Sequence, residues 1–378
     1  MRRPGRLRFA ALALLALAGC GRWPDRPPVS AESQAAARVA GFGDVRLWAD
    51  ASATDWVTWR ARWMADRTAA GLTAGPKVLA ISSGSDKGAF SAGYLAGWTA
   101  AGTRPRFDLV TGVSTGALEA PFAFLGSDYD GELKNLYTGI TAHNIYRTRA
   151  LSGLLGGPAF ADTKPLREMI AEHLSDALID RVAAEHRRGR RLLVMTTNLD
   201  AARGVVWDMG AIAASSSPGR YAQFRQVILA SAAIPGVFPP VLIDVVAGDQ
   251  RFSELHVDGG TISSLFVLPS AVLWGETSTA IDRRGSAITL LYNGKLNLEY
   301  HVVKPRAFTI MGRSLSTVIS AADQQNVAAY RRFAADNNIP FSFVAIGSDF
   351  TQESRKMFDP AYMGALYDYG RRAGGAAR

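Results

Sequence analysis

The 378-residue chain has one cysteine, Cys20, so an internal disulfide bond is excluded. Its early apolar run, residues 9–18, is shorter than the roughly 18 to 20 residues that span a bilayer as a permanent helix. Internal repeats are also missing. With 48% hydrophobic and 20% charged residues, the composition is typical of a globular chain that buries a large core.

The chain also has little excess charge once its first residues are set aside. The formal net charge is +9, but four arginines lie within the first eight residues. The remaining 38 basic and 33 acidic residues give +5, and this excess is spread along the chain. Because it forms no concentrated basic patch, we do not expect a nucleic-acid partner.

The first twenty residues resemble the signal of a bacterial lipoprotein. A basic stretch precedes the apolar run, and the segment closes with Leu17-Ala18-Gly19-Cys20. We expect removal of residues 1–19 and acylation of Cys20, which would tether the protein to a membrane. The expected location is the bacterial cell envelope, at the periplasmic face or the outer membrane. An ordinary secretory signal followed by a buried thiol is the alternative.

Four segments are expected: the signal peptide at 1–19, an acylated tether at 20–43, a helical segment at 44–75 and a folded domain at 76–372. The tether is rich in Pro, Ala and Ser and need not fold. The remaining length fits one large domain or two, and we favour one. The apolar, glycine-rich residues 143–160 fit either a mobile cover over a site or a surface loop.

Three tryptophans share one face of the helix predicted between Asp44 and Arg67. Trp56, Trp59 and Trp63 are three and four residues apart, which is the spacing of a helical stripe. Such a stripe either packs on the folded domain or lies in a lipid interface, where tryptophan and arginine are common. The sequence leaves both alternatives open.

Beyond residue 76 the apolar patterns alternate between short strands and helices. This alternation predicts an α/β fold with a mostly parallel sheet and helices on both of its faces. The predicted strands are residues 78–82, 107–112, 192–197, 205–208, 241–246, 287–292 and 341–346. The predicted helices are residues 89–101, 115–125, 164–173, 176–186, 315–335 and 360–371.

The motif Gly112-Val113-Ser114-Thr115-Gly116 matches Gly-x-Ser-x-Gly, a pattern that also arises by chance. Its context makes it informative, because a predicted strand precedes it and a predicted helix follows. This arrangement exposes a strained serine at a sheet edge. Glycine is needed at positions 112 and 116, because side chains there would collide where strand and helix cross. From this strand, turn and helix context we predict Ser114 as a nucleophile. A structural turn is the alternative.

A serine nucleophile needs a site that stabilises the oxyanion. The segment Ser83-Gly84-Ser85-Asp86-Lys87-Gly88 follows the first predicted strand and opens a helix, so its backbone amides can converge on an anion. Nucleotide binding is the competing interpretation. It is disfavoured because the segment lacks both the Gly-Lys-Ser/Thr ending of a P-loop and a full Gly-x-Gly-x-x-Gly pattern.

A serine nucleophile also needs a base. The histidines lie at positions 143, 173, 186, 256 and 301, and none has a convincing catalytic setting. Only His301 follows Asp258 in the chain, and its surroundings are those of a surface residue. Asp258 is the better candidate, because Gly259 and Gly260 turn the chain sharply after it. Partial burial would raise the pKa of its carboxyl toward neutrality and make it a better base.

The loop, the serine motif and the Asp-Gly-Gly turn, in this order, resemble the patatin-like phospholipase family. The resemblance covers about residues 77 to 370. Three further segments are similar to parts of the family: Thr196-Thr197-Asn198-Leu199-Asp200, Ala230-Ser231-Ala232-Ala233-Ile234-Pro235 with Phe238-Pro239-Pro240, and Phe358-Asp359-Pro360-Ala361-Tyr362-Met363.

The resemblance implies a three-layer α/β/α fold and a Ser-Asp dyad of Ser114 and Asp258, with no catalytic histidine, metal or cofactor. It also implies an oxyanion hole formed by amides near Gly84, Ser85 and Asp86. One departure is present. The family usually has three glycines where this chain has Ser83, Gly84 and Ser85, so a positive φ at Ser85 would carry strain of about 1 kcal/mol or more.

The resemblance and the lipoprotein signal together favour a membrane-tethered serine acyl hydrolase. Its expected substrates are phospholipids or related lipid esters, cleaved by a phospholipase A or lysophospholipase type of reaction. The alternative is a non-catalytic envelope lipoprotein that uses the same fold to bind lipid or a protein partner. Ser83 and Ser85 are the best support for that alternative, because they replace glycines of the oxyanion loop.

Overall fold

A computed structural model describes residues 26–145, 147–148, 161–267, 269, 285–297, 300, 302–354 and 356–377. The predicted signal peptide, Cys20 and His301 lie outside these residues, as does most of the 143–160 segment. Within the described ranges, no helix combines the length and the apolar composition needed to cross a bilayer.

The described elements alternate between strands and helices over most of the chain. The strands are β1 (Arg38–Val39), β2 (Arg46–Trp48), β3 (Lys77–Ile81), β4 (Leu109–Val113), β5 (Arg147–Thr148), β6 (Ala161–Asp162), β7 (Arg191–Asn198), β8 (Arg203–Asp208), β9 (Val241–Ala247), β10 (Gln250–Asp258), β11 (Ala287–Tyr292) and β12 (Phe341–Ala345). The helices are α1 (Ala31–Ala36), α2 (Ala53–Ala69), α3 (Ala89–Ala100), α4 (Thr115–Leu125), α5 (Asp130–Thr138), α6 (Ala142–Ile145), α7 (Lys164–His173), α8 (Asp176–Arg187), α9 (Met209–Ala214), α10 (Arg220–Ser231), α11 (Ala307–Asp336) and α12 (Pro360–Gly375). Short 3₁₀ helices cover Ser85–Gly88, Ser127–Tyr129 and Gly259–Thr261.

The large sheet has a parallel centre. Its main path runs β1-β9-β10-β7-β4-β3-β11-β12, with β8 paired to β7 and β2 paired to β8. The neighbours β12, β11, β3, β4 and β7 pair in parallel, whereas β8, β9 and β10 pair antiparallel. The carboxyl ends of the parallel strands therefore share one edge of the sheet.

Helices cover both faces of this sheet. Along β3, Leu79 and Ile81 belong to one hydrophobic core, while Val78 and Ala80 belong to the other. This alternation follows from the two-residue period of a strand. Side chains of α3, α4 and α12 contribute to the first core, and those of α2 and α11 contribute to the second. The predicted α/β architecture with a mostly parallel central sheet is confirmed.

The tryptophan stripe of α2 packs on the domain. Trp56, Trp59 and Trp63 are buried in the second core, and the rings of Trp56 and Trp59 stack with centroids 4.8 Å apart. The indole of Trp63 donates a hydrogen bond to the carbonyl of Gly189 at 2.8 Å. Of the two alternatives left open for this stripe, the structure therefore shows the packed one.

The second half of the predicted tether lies against the sheet. Residues 31–36 form α1, and Arg38 and Val39 pair with Val246 and Val245 of β9. Val39 is buried, so this short strand contributes a side chain to the first core. Two residues are too few to show strand periodicity, which is why the sequence does not reveal this pairing.

The helices α3 and α12 approach each other at the level of their backbones. A Cβ at Gly93 would overlap the carbonyl of Tyr367, and a Cβ at Gly370 would overlap the carbonyl of Phe90. Glycine is required on both helices for this close approach. Because α3 directly follows the 3₁₀ helix Ser85–Gly88, the contact also fixes the loop at the carboxyl end of β3.

Replacing Gly370 by alanine is expected to lower the free energy of unfolding by about 1 to 3 kcal/mol, because the added methyl group pushes the two helices apart. Gly364→Ala is the matched control on the same helix, where an added Cβ meets nothing within 4 Å. It is expected to gain about 0.5 to 1 kcal/mol from helix propensity. Urea denaturation followed by circular dichroism measures both changes, and equal effects would contradict the close contact.

Candidate active site

Ser114 lies on a tight turn between β4 and α4. Its φ of 56° and ψ of −118° place it in a region that non-glycine residues rarely adopt. A Cβ at Gly112 would overlap the carbonyl of Gly116, and a Cβ at Gly116 would overlap the carbonyl of Ile81. The two glycines thus permit the crossing of strand and helix that holds the serine in this conformation.

The hydroxyl of Ser114 donates a hydrogen bond to the carboxylate of Asp258. Ser114 Oγ and Asp258 Oδ2 are 2.5 Å apart, and the other carboxylate oxygen accepts a bond from the amide of Gly260 at 2.7 Å. Ser114 is 6% exposed and Asp258 is 5% exposed. The two residues therefore form a closed pair that is largely shielded from water.

Strand register explains why residues so far apart in the chain meet. Val113, the last residue of β4, lies opposite Met195 of β7, and Asp258, the last residue of β10, lies opposite the next residue, Thr196. The opposite edge of β7 is occupied by β8 at this level. The ends of β4 and β10 therefore abut on the same edge of β7, which brings Ser114 beside Asp258.

The turn after Asp258 depends on its two glycines. A Cβ at Gly259 would overlap the carbonyl of Met195, so only glycine allows the chain to pass β7 at this point. The amide of Asp258 donates to the carbonyl of Ala233 at 2.9 Å, and its carbonyl accepts from the hydroxyl of Thr197 at 3.0 Å. These bonds fix the backbone that carries the carboxylate.

Burial raises the pKa of Asp258 to about 7. Desolvation disfavours the charged form of the carboxyl, and this effect exceeds the opposing hydrogen bonds from Ser114 and the amide of Gly260. Near neutral pH the group is therefore divided between its two protonation states. A carboxyl of this pKa is able both to accept a proton and to return it.

Two loop amides are available for an anion. The amide of Ser83 donates to the carbonyl of Ser264 at 2.9 Å, and Asp86 directs its amide to its own carboxylate. The amides of Gly84 and Ser85 have no hydrogen-bond partner among the described residues. The first amides of α4, at Thr115 and Gly116, are likewise unpaired there, as expected at a helix N-terminus. Of the three predicted loop positions, Gly84 and Ser85 therefore keep an amide free to donate.

The carboxylate of Asp86 has a structural contact of its own. It accepts a hydrogen bond from the amide of Phe358 at 3.1 Å, just before α12, and burial raises its pKa. A Cβ at Gly84 would overlap the backbone and Cβ of Asn293, so the loop is also pressed against the end of β11. The loop is thus held from two sides.

Ser85 is strained in this loop. Its φ is 56°, in the left-handed region that favours glycine, and its hydroxyl is buried with no hydrogen-bond partner in the described structure. Its carbonyl accepts a bond from the hydroxyl of Thr115 at 2.6 Å, which ties the loop to the start of α4. The structure therefore shows at Ser85 the positive φ that the sequence comparison raised for this residue.

An apolar cavity opens beside Ser114. Ser85, Ser114 and Thr115 form its polar end. The rest of its lining is mainly apolar and includes Leu118, Leu136, Ile140, Leu166, Met169 and Phe238. The cavity therefore places apolar side chains directly beside the hydroxyl of Ser114.

Sequence reasoning missed the roles of two residues that support the site. Ser231 accepts a hydrogen bond from the amide of Ser114 at 2.9 Å and donates to the carbonyl of Met195 at 2.7 Å. Asn293 accepts from the amide of Ser91 at 3.2 Å and donates from its side chain to the carbonyl of Ser82 at the same distance. The available signals were a serine at the apolar end of a helix and an asparagine directly after a predicted strand.

A buried acid lies below the loop. Glu119 is fully buried on α4 and accepts a hydrogen bond from the hydroxyl of Ser91, and burial raises its pKa to about 8. A Cβ at Gly88 would overlap this carboxyl and the ring of Tyr137. Tyr137 in turn donates to the carbonyl of Thr115 at 3.2 Å. The loop, α4 and the cavity wall therefore meet at Glu119 and Tyr137.

The histidine nearest Asp258 in sequence is occupied elsewhere. His256 is fully buried, with one ring nitrogen 3.0 Å from the carboxylate of Glu254 and the other 2.9 Å from the hydroxyl of Thr196. Burial lowers its pKa. Among the described residues, the hydroxyl of Ser114 is paired with Asp258 rather than with a histidine.

The strain at Ser85 makes a prediction about stability. Ser85→Gly is expected to raise the free energy of unfolding by about 1 kcal/mol, because glycine adopts φ of 56° without steric cost and removes the unpaired hydroxyl. Ser83→Gly is the matched control, since φ of Ser83 is not positive, and it is expected to gain nothing. Chemical denaturation measures both variants; a gain in the control as large as that of Ser85→Gly would contradict the assigned cause.

The buried carboxyl makes a second prediction. Because its folded pKa of about 7 lies above the ordinary value of 3.8, rising pH removes its proton more readily from the unfolded chain. As the pH rises from 3.8 to about 7, the wild type loses on the order of 4 kcal/mol of stability, which a protein with an uncharged side chain at position 258 would keep. Asp258→Asn is therefore expected to be more stable than wild type, and by a larger margin at pH 8 than at pH 5.

Thermal unfolding at the two pH values measures this margin. Exposed Asp249→Asn is the control for the loss of one negative charge, and it should show no such difference between the two pH values. A margin for Asp258→Asn that is the same at pH 5 and pH 8 would show that burial does not raise the pKa of Asp258.

Comparison with known proteins places these features in a family. Residues 79–270, just over half of the chain, match the family model described as patatin-like phospholipase. A search of curated proteins found no significant match. Among solved structures, the crystal structure of VipD from Legionella pneumophila is similar, with 13% sequence identity and a TM-score of 0.41. The similarity covers 79% of this chain and 66% of that chain. The match to the family model includes both Ser114 and Asp258, and the chain belongs to the patatin-like phospholipase family.

Proposed function

We propose that this protein hydrolyses carboxylic ester bonds of phospholipids or related lipids, with Ser114 as nucleophile and Asp258 as its base. The observation that carries the proposal is the 2.5 Å hydrogen bond between the Ser114 hydroxyl and the buried Asp258 carboxylate. Membership of the patatin-like phospholipase family supports a lipid acyl hydrolase as the general class.

In the proposed mechanism, Asp258 removes the proton of the Ser114 hydroxyl as the oxygen attacks the ester carbonyl. The carbonyl electrons move onto oxygen, and the amides of Gly84 and Ser85, with those that begin α4, donate hydrogen bonds to this oxyanion. Collapse of the tetrahedral intermediate breaks the bond to the alcohol, which takes the proton from Asp258. The acyl group remains on Ser114.

Deacylation uses the same carboxylate again. Asp258 takes a proton from a water molecule, and the resulting hydroxide attacks the acyl-enzyme carbonyl. The second tetrahedral intermediate releases the fatty acid, and Ser114 recovers its proton from Asp258. A pKa of about 7 suits a group that must accept and return a proton twice in each cycle.

The cavity beside Ser114 supports a lipid substrate. Its apolar lining fits an acyl chain, and its polar end lies at Ser114 and Ser85, where the ester carbonyl would be held. We further propose that acylated Cys20 tethers the protein to a membrane of the bacterial envelope, at the periplasmic face or the outer membrane. The lipoprotein-like sequence around Cys20 is the support for this location.

One observation favours a second candidate, a non-catalytic lipoprotein that binds lipid or a protein partner. Ser85 is strained and its hydroxyl lacks a partner among the described residues, so the oxyanion loop departs from the glycine-rich form. We favour the enzyme, because the amides of Gly84 and Ser85 are unpaired within the described structure and lie in the loop next to the nucleophile.

A fluorophosphonate probe tests the proposal, because it reacts covalently with an activated serine. Wild-type protein is expected to label and Ser114→Ala to remain unlabelled. Ser316→Ala, which removes an exposed hydroxyl from α11, is the matched control and should label as wild type does. Asp258→Asn is expected to lower ester turnover by about 10²- to 10⁴-fold, the usual loss on removal of a general base.

Analysis of the products then separates the two candidates. Wild type should release fatty acid from phospholipid vesicles, while Ser114→Ala should not. Equal labelling of wild type and Ser114→Ala, or full activity of Asp258→Asn on short acyl esters, would exclude the proposed mechanism. A folded wild-type protein that binds lipid without labelling or turnover would establish the non-catalytic candidate.

A further inference from the structure

The first half of α11 carries an unusual concentration of exposed apolar side chains. Ile310, Met311, Leu315 and Val318 are 50%, 62%, 48% and 67% exposed. With Tyr300 and Val302 just before the helix, they make up six of the ten large hydrophobic residues exposed in the described part of the chain. Single apolar residues on a surface are ordinary, whereas a cluster marks an interaction surface. We call residues 309–318 the projecting segment.

Contacts farther along the helix show where this segment begins to leave the protein. Ser320 donates to the carbonyl of Leu296 at 3.1 Å, and Asn326 donates to the hydroxyl of Ser263 at 3.0 Å. From Val327 onward α11 contributes side chains to the second core. With a rise of about 1.5 Å per residue, the part of the helix before Ser320 extends for roughly 20 Å.

The projecting segment leaves the sheet at the edge that carries the Ser-Asp pair. Tyr292, the last residue of β11, donates to the carboxylate of Asp323 at 2.8 Å, so this turn of α11 lies level with the carboxyl ends of the parallel strands. Ser114 follows the carboxyl end of β4 in the same sheet. Ser264 follows Ser263, which Asn326 of α11 contacts. The carbonyl of Ser264 accepts a hydrogen bond from the amide of Ser83 in the oxyanion loop.

Residues 300–322 carry charge of one sign. Residues 300–322 contain no aspartate or glutamate and include Lys304, Arg306 and Arg313. Lys304 and Arg306 are exposed. An apolar segment that carries cations and no carboxylates of its own complements an anionic lipid surface. Two copies of the same segment would bring like charges together, which disfavours self-association through it.

We propose that the projecting segment docks the protein on anionic lipid surfaces and thereby brings the Ser114 edge of the sheet to its substrate. Ile310, Met311, Leu315 and Val318 enter the boundary between head groups and acyl chains. Lys304 and Arg306 lie against the lipid phosphates. This inference deepens the proposed lipid hydrolase function and rests on it, since docking orients the site toward lipid.

A single fluorophore tests the proposal in the full-length protein. Cys20→Ser leaves the chain without cysteine, and Ser114→Ala prevents turnover during the measurement. In this background, Met311→Cys carries an environment-sensitive fluorophore, and Val57→Cys on α2, 38% exposed in the native chain, is the matched control. Vesicles of phosphatidylcholine with phosphatidylglycerol are compared with vesicles of phosphatidylcholine alone.

The expected result is a blue shift of the label at position 311 with the anionic vesicles, and no shift at position 57. Charge reversal by Lys304→Glu with Arg306→Glu is expected to weaken the anionic-vesicle response at least about tenfold. Arg331→Glu, at an exposed position near the other end of α11, should leave it unchanged.

Three results would overturn the docking proposal. They are no shift at position 311 with anionic vesicles, an equal shift with both kinds of vesicle, and a shift without vesicles that grows with protein concentration. The last would assign the segment to a second copy of the chain. Hydrolysis of a soluble short-chain ester by protein with Ser114 intact is measured separately. Its absence would remove the proposed enzyme and leave the vesicle result standing.

Discussion

The meeting of two strand ends on one edge of β7 is the constraint on which the site depends. β4 ends opposite Met195 and β10 ends opposite Thr196. Ser114, which follows β4, and Asp258, which ends β10, are therefore forced together. Gly112, Gly116 and Gly259 each remove a Cβ that would prevent this approach. The hydrogen bond of the pair is a result of strand register, and the glycines are the condition for that register.

The site concentrates unfavourable features that the rest of the fold supports. Three non-glycine residues, Ser85, Ser114 and Phe358, adopt positive φ there. One serine hydroxyl is unpaired in the described structure, and a carboxyl is buried without a neighbouring cation among the causes that set its pKa. Two hydrophobic cores, one on each face of the sheet, hold the surrounding backbone. Such strain persists only where the surrounding structure fixes it.

The sequence predicted the central strands and the pair itself, because these depend on local patterns. Fully buried strands read as apolar runs, and glycines flank Ser114 and follow Asp258. The strand β10 was missed, since its Glu254 and His256 look like surface residues. Both are buried, and Glu254 pairs with Arg46, which is distant in sequence. The role of Ser231 was hidden for the same reason, because it is set by a partner on another element.

The contact between the loop at Ser85–Gly88 and the start of α12 has a consequence for the order of events during synthesis. The carboxylate of Asp86 accepts the amide of Phe358, and α3 packs its backbone on α12, so the loop takes its shape from a helix made about 270 residues later. A ribosome-bound chain that already contains Ser114 and Asp258 still lacks this support. The loop therefore takes its final shape only when α12 has been released from the ribosome and has docked on α3.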